Sequence, residues 1–252
     1  MCTLEKRGKV FHLILTGPDE QHRLNPTTID SIRSALAQIR SDSTPGSALV
    51  TSSDGRFFSN GFDLAWASSP SAGGSDPAVA RRRLGHMVSL FSPLVADLLS
   101  LPMPTIAAVT GHAAAAGFAL AVCHDYVLMR KDKGFLYMSE IDLGLPLPGY
   151  FMALLRSKIV NPMWRREVTM RGARVSADRA VEMGIVDSAH GDAGETIEAA
   201  LRLGEELSTR GWDGHVYASM RVQSLPEVCG AVGLGLGGGG KVEREETAVA
   251  RL

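Results

Sequence analysis

The segment from Thr105 to Ala121 constrains the fold more than any other part of the chain. Its first five residues, Thr105 to Val109, predict a buried strand, and the small and apolar residues from Ala113 onwards predict a buried helix. Small residues at a strand-to-helix junction let a ligand approach the backbone closely, and the first turn of a helix offers N–H groups that the helix itself does not use. The junction therefore suits an anion, or an oxygen that becomes negative during a reaction.

A second segment of similar character lies about 50 residues upstream, where Phe57 to Leu64 reads FFSNGFDL. Its Asn-Gly pair follows a short apolar run, as the glycine at residue 111 follows the strand of the first segment. Together, the two segments are typical of the paired backbone donors of an oxyanion hole, which stabilise negative charge on a substrate oxygen. This pairing points to an enzyme.

The rest of the chain alternates predicted strands and helices, which favours an α/β fold. Strands are predicted at Lys9–Leu15, Ala48–Val50, Tyr126–Met129 and Ile185–Asp187. Helices are predicted after Asn25-Pro26 (Ile29, Ile32, Leu36, Ile39), along Leu84, Met87, Phe91, Leu94 and Leu98, and from Ser176 to Met183, ending at Gly184. Ser92-Pro93 predicts a break or restart in the second of these helices. The Ser-, Gly- and Pro-rich segment from Ser68 to Pro77 predicts a flexible loop.

Composition narrows the class of protein. With 252 residues and a formal net charge of −1, the chain gives no electrostatic case for binding nucleic acid or an anionic membrane. Three cysteines without a pattern favour a reducing compartment. No metal site is expected at Cys123-His124-Asp125, because adjacent residues point in different directions. No membrane span is expected either, since Gly111, His112 and Gly117 interrupt the longest apolar stretch.

Five motifs in a fixed order resemble the crotonase family, the enoyl-CoA hydratases and isomerases. They are HRLNP at His22–Pro26, FSNGFDL at Phe58–Leu64, PTIAAVTG at Pro104–Gly111, DYV at Asp125–Val127 and SEIDLGL at Ser139–Leu145. The resemblance covers roughly residues 1 to 210. Within the family, the opening MCTLEKRG and the segment FFSNGFDLAW make the chain most similar to plant peroxisomal Δ3,Δ2-enoyl-CoA isomerases.

The resemblance implies a crotonase (ClpP/crotonase-like) fold of repeated ββα units with a C-terminal helical segment. Residues 1–210 would form the core domain. Residues 211–252 would hold a helix near Trp212–Arg221, a glycine-rich linker at Gly233–Gly240 and a targeting tail. After Leu225 the chain departs from the family, whose C-terminal helices commonly close the acyl pocket. The family also implies a homotrimer or a hexamer built as a pair of trimers.

The chemistry implied by the family depends on glutamates. Hydratases use two, and the position of the first is occupied here by Ala119, while the second is Glu140. A single carboxylate suits a reaction in which one base removes a proton and returns it elsewhere, such as moving a double bond along an acyl chain. Asp142 is the alternative base, because two residues along a strand it shares a face with Glu140.

By the same resemblance, the N–H groups of Phe62 and Ala116 would form the oxyanion hole. Because the family usually has glycine where Ala115-Ala116 stand, the second donor is assigned to within one residue. Further contacts with the CoA thioester are expected from Phe58, Ser59, Asn60, Gly61, Asp63 and Gly117. Four other assignments stay open: Asp63 as a cap, Arg81-Arg82-Arg83 as a solvated helix start or as phosphate ligands, His22-Arg23 near the nucleotide, and His112 as a packing residue or a substrate contact.

The favoured function is a Δ3,Δ2-enoyl-CoA isomerase of β-oxidation that needs no cofactor, with CoA as part of the substrate. Another acyl-CoA reaction, such as hydration or thioester hydrolysis, and a non-catalytic acyl-CoA binding protein are the alternatives. The C-terminal Ala250-Arg251-Leu252 resembles a peroxisomal address. It predicts recognition by the peroxisomal import receptor and a peroxisomal location.

Overall fold

The computed structural model describes residues 1–70 and 76–235. Its strands are β1 Cys2–Arg7, β2 Val10–Leu15, β3 Ala48–Ser53, β4 Phe57–Ser59, β5 Thr105–Val109, β6 His112–Ala114, β7 Tyr126–Arg130, β8 Leu136–Tyr137 and β9 Ser188–His190. Its helices are α1 Pro26–Asp42, α2 Leu64–Ala67, α3 Pro77–Leu99, α4 Ala116–Val122, α5 Gly149–Lys158, α6 Pro162–Met170, α7 Ala177–Glu182, α8 Ala193–Thr209, α9 Gly214–Ser224 and α10 Pro226–Ala231.

The strands form two sheets. A six-stranded sheet has the order β1-β2-β3-β5-β7-β9, with β1 antiparallel to β2 and the remaining pairs parallel. A three-stranded parallel sheet has the order β4-β6-β8. The chain therefore places one strand in the large sheet, the next in the small sheet, and then a helix, three times in succession. This confirms the predicted fold of repeated ββα units.

Both faces of the central strands β2, β3, β5 and β7 are buried, as expected where strands run parallel. Helix α8 covers one face, where Val50, Ile106 and Leu128 pack against Ala200. The alternate residues of the same strands, such as Leu49 and Ala107, point into the main core. Helices α1, α3, α4 and α5 contribute to that core. The small sheet lies on this second side, together with the helices that follow its strands.

Two local predictions were wrong. Helix α3 continues through Pro93 instead of breaking, because Phe91, Leu94 and Val95 are fully buried and hold the turn in place. The last strand begins at Ser188, whereas a strand was predicted from residue 185 to residue 187. The N–H groups of residues 185 and 186 instead bond to the carbonyl of Ala180 and close the end of α7. Their apolar side chains are buried as part of a turn.

The C-terminal helices dock on the core. Arg221 of α9 is buried, and it donates from Nε and Nη2 to the Asp125 carboxylate at 2.6 and 2.5 Å. Val228 and Cys229 of α10 are also buried. Arg156 of α5 pairs with the glutamate at the second position of α10. The segment after residue 225 therefore completes the core up to residue 235.

Three further predictions concern parts of the chain that the structure does not fully describe. The loop predicted from Ser68 to Pro77 includes residues 71–75, which lie outside the described residues, and Pro77 itself begins α3. The glycine-rich linker, residues 233–240, is described only as far as residue 235, and the tail Ala250-Arg251-Leu252 lies outside the described residues. The boundary between a core domain ending at residue 210 and a separate C-terminal segment stays a prediction. Within residues 1–70 and 76–235, no helix is long and apolar enough to cross a membrane.

Candidate active site

A cavity of about 570 Å³ opens where the three strands of the small sheet end. Asn60 and Phe62 follow β4, Ala115 follows β6, and Ser139 and Glu140 follow β8. Because the three strands are parallel, their carboxyl ends meet at one edge of the sheet. The remaining lining residues come mainly from α3 and from the segment leading into α5: Leu64, Arg81, Leu84, Gly85, Val88, Leu143, Gly144, Leu145, Pro146, Leu147, Pro148 and Phe151.

The first predicted donor, the Phe62 N–H, is directed away from the segment around Leu24, which lies beside it. Leu24 and Phe62 form a parallel bridge in which the Leu24 N–H donates to Gly61 O at 2.8 Å and the Asp63 N–H donates to Leu24 O at 3.1 Å. The residues on either side of Phe62 thus make the bonds to Leu24, so the N–H of Phe62 itself faces the other way. It has no acceptor in the described part of the chain, and Phe62 lines the cavity.

The second predicted donor, the Ala116 N–H, belongs to the first residue of α4. A helix leaves its first N–H groups unpaired, and no acceptor among the described residues takes this one. Ala115, just before it, has φ +52° and ψ −121°, a conformation that is rare for any residue except glycine. Such strain costs on the order of 1–3 kcal/mol and is typically retained at functional sites.

Two glycines bring these donors together. Gly61 has φ +73°, and a Cβ atom there would lie 2.9 Å from Ala114 O and 3.3 Å from Ala116 N. A Cβ at Gly117 would lie only 2.2 Å from Ser59 O, so α4 packs against β4 only because residue 117 has no side chain. The two glycines therefore set the distance between the strand end before Phe62 and the start of α4.

Glu140 lies in the turn after β8 and lines the cavity. Its Oε2 atom is buried without a hydrogen-bond partner among the described residues. Burial raises the pKa of Glu140 above its ordinary value, while the N–H groups of Ser139 and Glu140 itself pull that pKa partly back. A carboxyl with a raised pKa is suited both to accept a proton and to release it again.

Among the described lining residues, Glu140 is the one carboxylate. Ala119 is fully buried within α4. Asp142, the alternative base, is exposed and does not line the cavity. Asp63 caps α2 by accepting the Trp66 N–H at 2.9 Å, and it also accepts a hydrogen bond from the Asn25 side chain at 3.2 Å. One acid–base group therefore faces the cavity.

The predicted CoA contacts divide into two groups. Asn60 lines the cavity, and its side-chain amide donates to Gln21 Oε1 at 2.8 Å. Phe58 and Ser59 are fully buried, and the Ser59 hydroxyl donates to His22 O at 2.8 Å. Neither residue lines the cavity, so the structure places both in the support of β4 and only Asn60 of the three at the ligand site.

His22 and His112 both lie away from the cavity. The His22 ring is buried between Phe57 O and Asp54 Oδ1, each at 2.8 Å, so it fixes the turn before β4. His112 stacks on Phe135 and lies at the opposite edge of the small sheet, in a second cavity of about 500 Å³. Burial and the positive charge of Arg56 lower the pKa of His112.

The three consecutive arginines of α3 have different surroundings. Arg81 is exposed and lines the cavity at its outer end. Arg82 is exposed and does not line it. The Arg83 guanidinium lies over the Trp66 ring, 3.9 Å from its centroid. Of the triplet, Arg81 is thus placed to meet a ligand.

An aromatic cluster forms the inner wall, and the sequence did not single it out. The rings of Phe62 and Phe151 stack with centroids 6.2 Å apart, and Phe91 meets Phe62 edge-on at 5.6 Å. The Tyr150 hydroxyl donates to Val88 O at 2.8 Å and so ties α5 to α3. Residues 81, 84, 85 and 88 of α3 also line the cavity. In the sequence, their spacing indicates one face of an amphipathic helix, but it does not indicate that this face lines a cavity.

A cavity lined by Phe62, Ala115 and the carboxylate of Glu140, with unpaired N–H groups at Phe62 and Ala116, is the arrangement expected of enzymes that act on acyl thioesters. The enoyl-CoA hydratase/isomerase family matches residues 5–220, and the chain belongs to that family. This confirms the predicted family.

Three plant proteins are each more than 50% identical in sequence to this chain. The chain is 59% identical over 229 residues to Enoyl-CoA delta isomerase 1, peroxisomal, of Arabidopsis thaliana, covering 90% of this chain and 91% of the relative. It is 55% identical over 235 residues to Enoyl-CoA delta isomerase 2, peroxisomal, of the same plant, covering 93% and 96%. Enoyl-CoA delta isomerase 3 is 53% identical over 235 residues.

Solved structures confirm the fold. A probable enoyl-CoA hydratase from Mycobacterium tuberculosis superposes with a TM-score of 0.78 at 22% identity, covering 93% of this chain and 92% of that one. An enoyl-CoA hydratase from Mycobacterium marinum gives a TM-score of 0.77 at 21% identity, covering 93% and 95%. At this identity, the likeness concerns the fold alone.

Proposed function

We propose that this protein is a Δ3,Δ2-enoyl-CoA isomerase, which moves the double bond of a 3-enoyl-CoA to the trans-2 position. The observation that carries the proposal is the combination of one carboxylate in the cavity, that of Glu140, with two backbone N–H groups that have no acceptor among the described residues. Phe62 lines the cavity, and Ala116 directly follows the lining residue Ala115. The 53–59% identity to three plant relatives named enoyl-CoA delta isomerases supports the same reaction.

In the proposed mechanism, Glu140 removes a proton from C2 of the 3-enoyl thioester. The electron pair of the broken C–H bond spreads through a dienolate onto the thioester oxygen, which accepts hydrogen bonds from the N–H groups of Phe62 and Ala116. The protonated Glu140 then returns its proton to C4, which leaves the double bond between C2 and C3. Each oxyanion donor of this kind is typically worth about 10²–10³ in rate.

Hydration would need a second group to activate water. The position at which hydratases of the family have their first glutamate is Ala119, which is buried in α4 and has no acid–base function. No other carboxylate lines the described part of the cavity. The single-carboxylate arrangement therefore favours isomerisation over hydration. The reaction, as proposed, requires no cofactor, since CoA is part of the substrate.

We also propose a peroxisomal location and assembly as a homotrimer or hexamer. Two of the three plant relatives are named peroxisomal, whereas the name of the third gives no compartment. The C-terminal Ala250-Arg251-Leu252 supports recognition by the peroxisomal import receptor. The oligomeric state rests on the resemblance to the family.

The test is turnover of a 3-enoyl-CoA by the wild-type protein, with hydration of the matching 2-enoyl-CoA measured in parallel. Isomerisation with negligible hydration is the expected result. Measurable binding of acyl-CoA without isomerisation would overturn the proposal in favour of a binding protein. Hydration faster than isomerisation would show that water is activated by a group outside the arrangement described above.

A further inference from the structure

Gly85 is an unusual residue to find inside α3. This helix runs from Pro77 to Leu99, and Gly85 lies more than two turns from either end. A glycine inside a helix is less favourable than alanine by roughly 0.5–1 kcal/mol, because it loses more backbone freedom on folding. A glycine at this position therefore calls for a structural reason.

The usual reasons for a glycine do not apply at Gly85. Its φ is not in the left-handed region, so no turn requires it. No atom of the described part of the chain lies within 4 Å of the position that a Cβ would occupy. Gly111 and Gly117, by contrast, would each place a Cβ within 2.3 Å of a backbone oxygen. Neither backbone strain nor close packing thus explains Gly85.

The space beside Gly85 is the active-site cavity. Arg81, Leu84, Gly85 and Val88 lie on one face of α3 and form one wall of the cavity, which also contains Glu140. From Arg81 to Val88 this wall is about 10 Å long at 1.5 Å per residue. A side chain at position 85 would project into the cavity midway along that wall.

The wall around Gly85 suits hydrocarbon. Leu84 and Val88 flank it, and Leu147 and Phe151 line the same cavity from the segment leading into α5 and from α5 itself. Arg81, at the exposed outer end, is the one polar side chain that α3 contributes. The pantetheine arm of CoA carries two amides that need hydrogen-bond partners, whereas an acyl chain needs none. The α3 wall therefore fits the acyl chain.

We propose that Gly85 determines acyl-chain specificity: without a side chain there, the cavity admits the distal methylenes of a long acyl chain along α3. This inference rests on the proposed function, because it takes an enoyl-CoA as the substrate. A larger residue at position 85 would shorten the cavity and convert the enzyme to one that prefers short chains.

The test compares wild type with Gly85→Ala and Gly85→Leu, using 3-hexenoyl-CoA and 3-dodecenoyl-CoA. Each methylene kept out of an apolar site weakens binding by about fourfold. In Gly85→Leu the ratio of kcat/KM for the dodecenoyl to the hexenoyl substrate should fall by tenfold or more. In Gly85→Ala the fall should be smaller.

The matched control is Gly230→Leu. Gly230 lies in α10, is exposed, has no atom of the described chain within 4 Å of its Cβ position, and does not line the cavity. Its substitution should leave the ratio as in the wild type. Leucine favours the helix at both positions, so thermal unfolding should show neither variant melting below the wild type.

Binding of saturated hexanoyl-CoA and dodecanoyl-CoA, measured by calorimetry, makes the result independent of catalysis. Gly85→Leu should lower the affinity ratio of dodecanoyl to hexanoyl by tenfold or more. An unchanged ratio, or an equal loss for both ligands, would overturn the inference. A wild type that binds both ligands but isomerises no 3-enoyl-CoA would contradict the proposed function, while the affinity ratio would still decide the role of Gly85.

Discussion

Replacing Glu140 by glutamine tests the single-carboxylate mechanism most directly. Glutamine has nearly the same shape but can neither accept a proton from C2 nor deliver one to C4. General acid–base catalysis typically contributes about 10²–10⁴ in rate. Because one carboxylate performs both transfers here, we expect kcat to fall by about 10³ or more, while affinity for a saturated acyl-CoA is retained.

The same substitution should stabilise the protein. Burial raises the pKa of Glu140, so the folded state holds its proton more tightly than the unfolded chain does. Such a carboxyl destabilises the fold at a pH above its folded pKa, and this cost disappears below its unfolded pKa. Glu140→Gln should therefore raise the free energy of unfolding at neutral pH. The gain should be on the order of 1 kcal/mol, because a neutral amide loses less hydration on burial than a carboxylate does.

The assays are the rise in ultraviolet absorbance as the conjugated 2-enoyl thioester forms, and denaturant unfolding at neutral pH and again below the usual pKa of glutamate. The stability gain should shrink as the pH is lowered. Asp142→Asn is the matched control, because Asp142 is exposed, close in sequence and outside the cavity lining. It should retain the wild-type rate.

Three results would refute this reasoning. A Glu140→Gln variant that keeps more than a tenth of the wild-type kcat would show that another group transfers the proton. A variant that is less stable than wild type at neutral pH would show that the buried carboxylate makes favourable contacts. A large loss of rate in Asp142→Asn would move the base to that residue.

Three further predictions follow from other parts of the structure. The kcat/KM of the wild type should decline as the pH drops through the raised pKa of Glu140, with a midpoint above the ordinary glutamate value of about 4.3, as a pH–rate profile would show. Ala115→Gly should relieve the strain at φ +52° and raise the free energy of unfolding by about 1 kcal/mol in denaturant titration, with isomerisation retained; a loss of stability would contradict the strain. Arg221→Ala should leave the Asp125 carboxylate buried without its ion-pair partner, and lower the free energy of unfolding by about 3–5 kcal/mol; a change below 1 kcal/mol would mean that α9 does not depend on this pair.

The fold and the outline of the site could be predicted from the sequence because they depend on patterns that persist along the chain. The apolar run from Thr105 to Val109 and the small residues after it are visible without coordinates. The parallel arrangement of β4, β6 and β8 then brings Asn60, Ala115 and Glu140 to one edge of a sheet. The order of the motifs pointed to Glu140 as the base ahead of Asp142.

Other features escaped prediction because they depend on contacts between distant segments. Helix α3 tolerates Pro93 only because the residues around it are buried against other elements. The docking of α9 depends on a pair between Arg221 and Asp125, which are 96 residues apart. Strand β1 has an exposed, charged sequence and forms by pairing with β2. None of these leaves a local signal.

The residues of the proposed oxyanion hole are hard to recognise in a sequence. Both proposed donors are backbone groups, so the side chains of Phe62 and Ala116 have no part in the hydrogen bonds. What the sequence must specify is a close approach of two segments, and it does so through Gly61, Gly117 and the strained Ala115. Substitutions that enlarge these three positions should therefore impair the site more than a change of the Phe62 side chain to another large apolar residue. The proposed chemistry depends on the absence of side chains at Gly61 and Gly117 as much as on the carboxylate of Glu140.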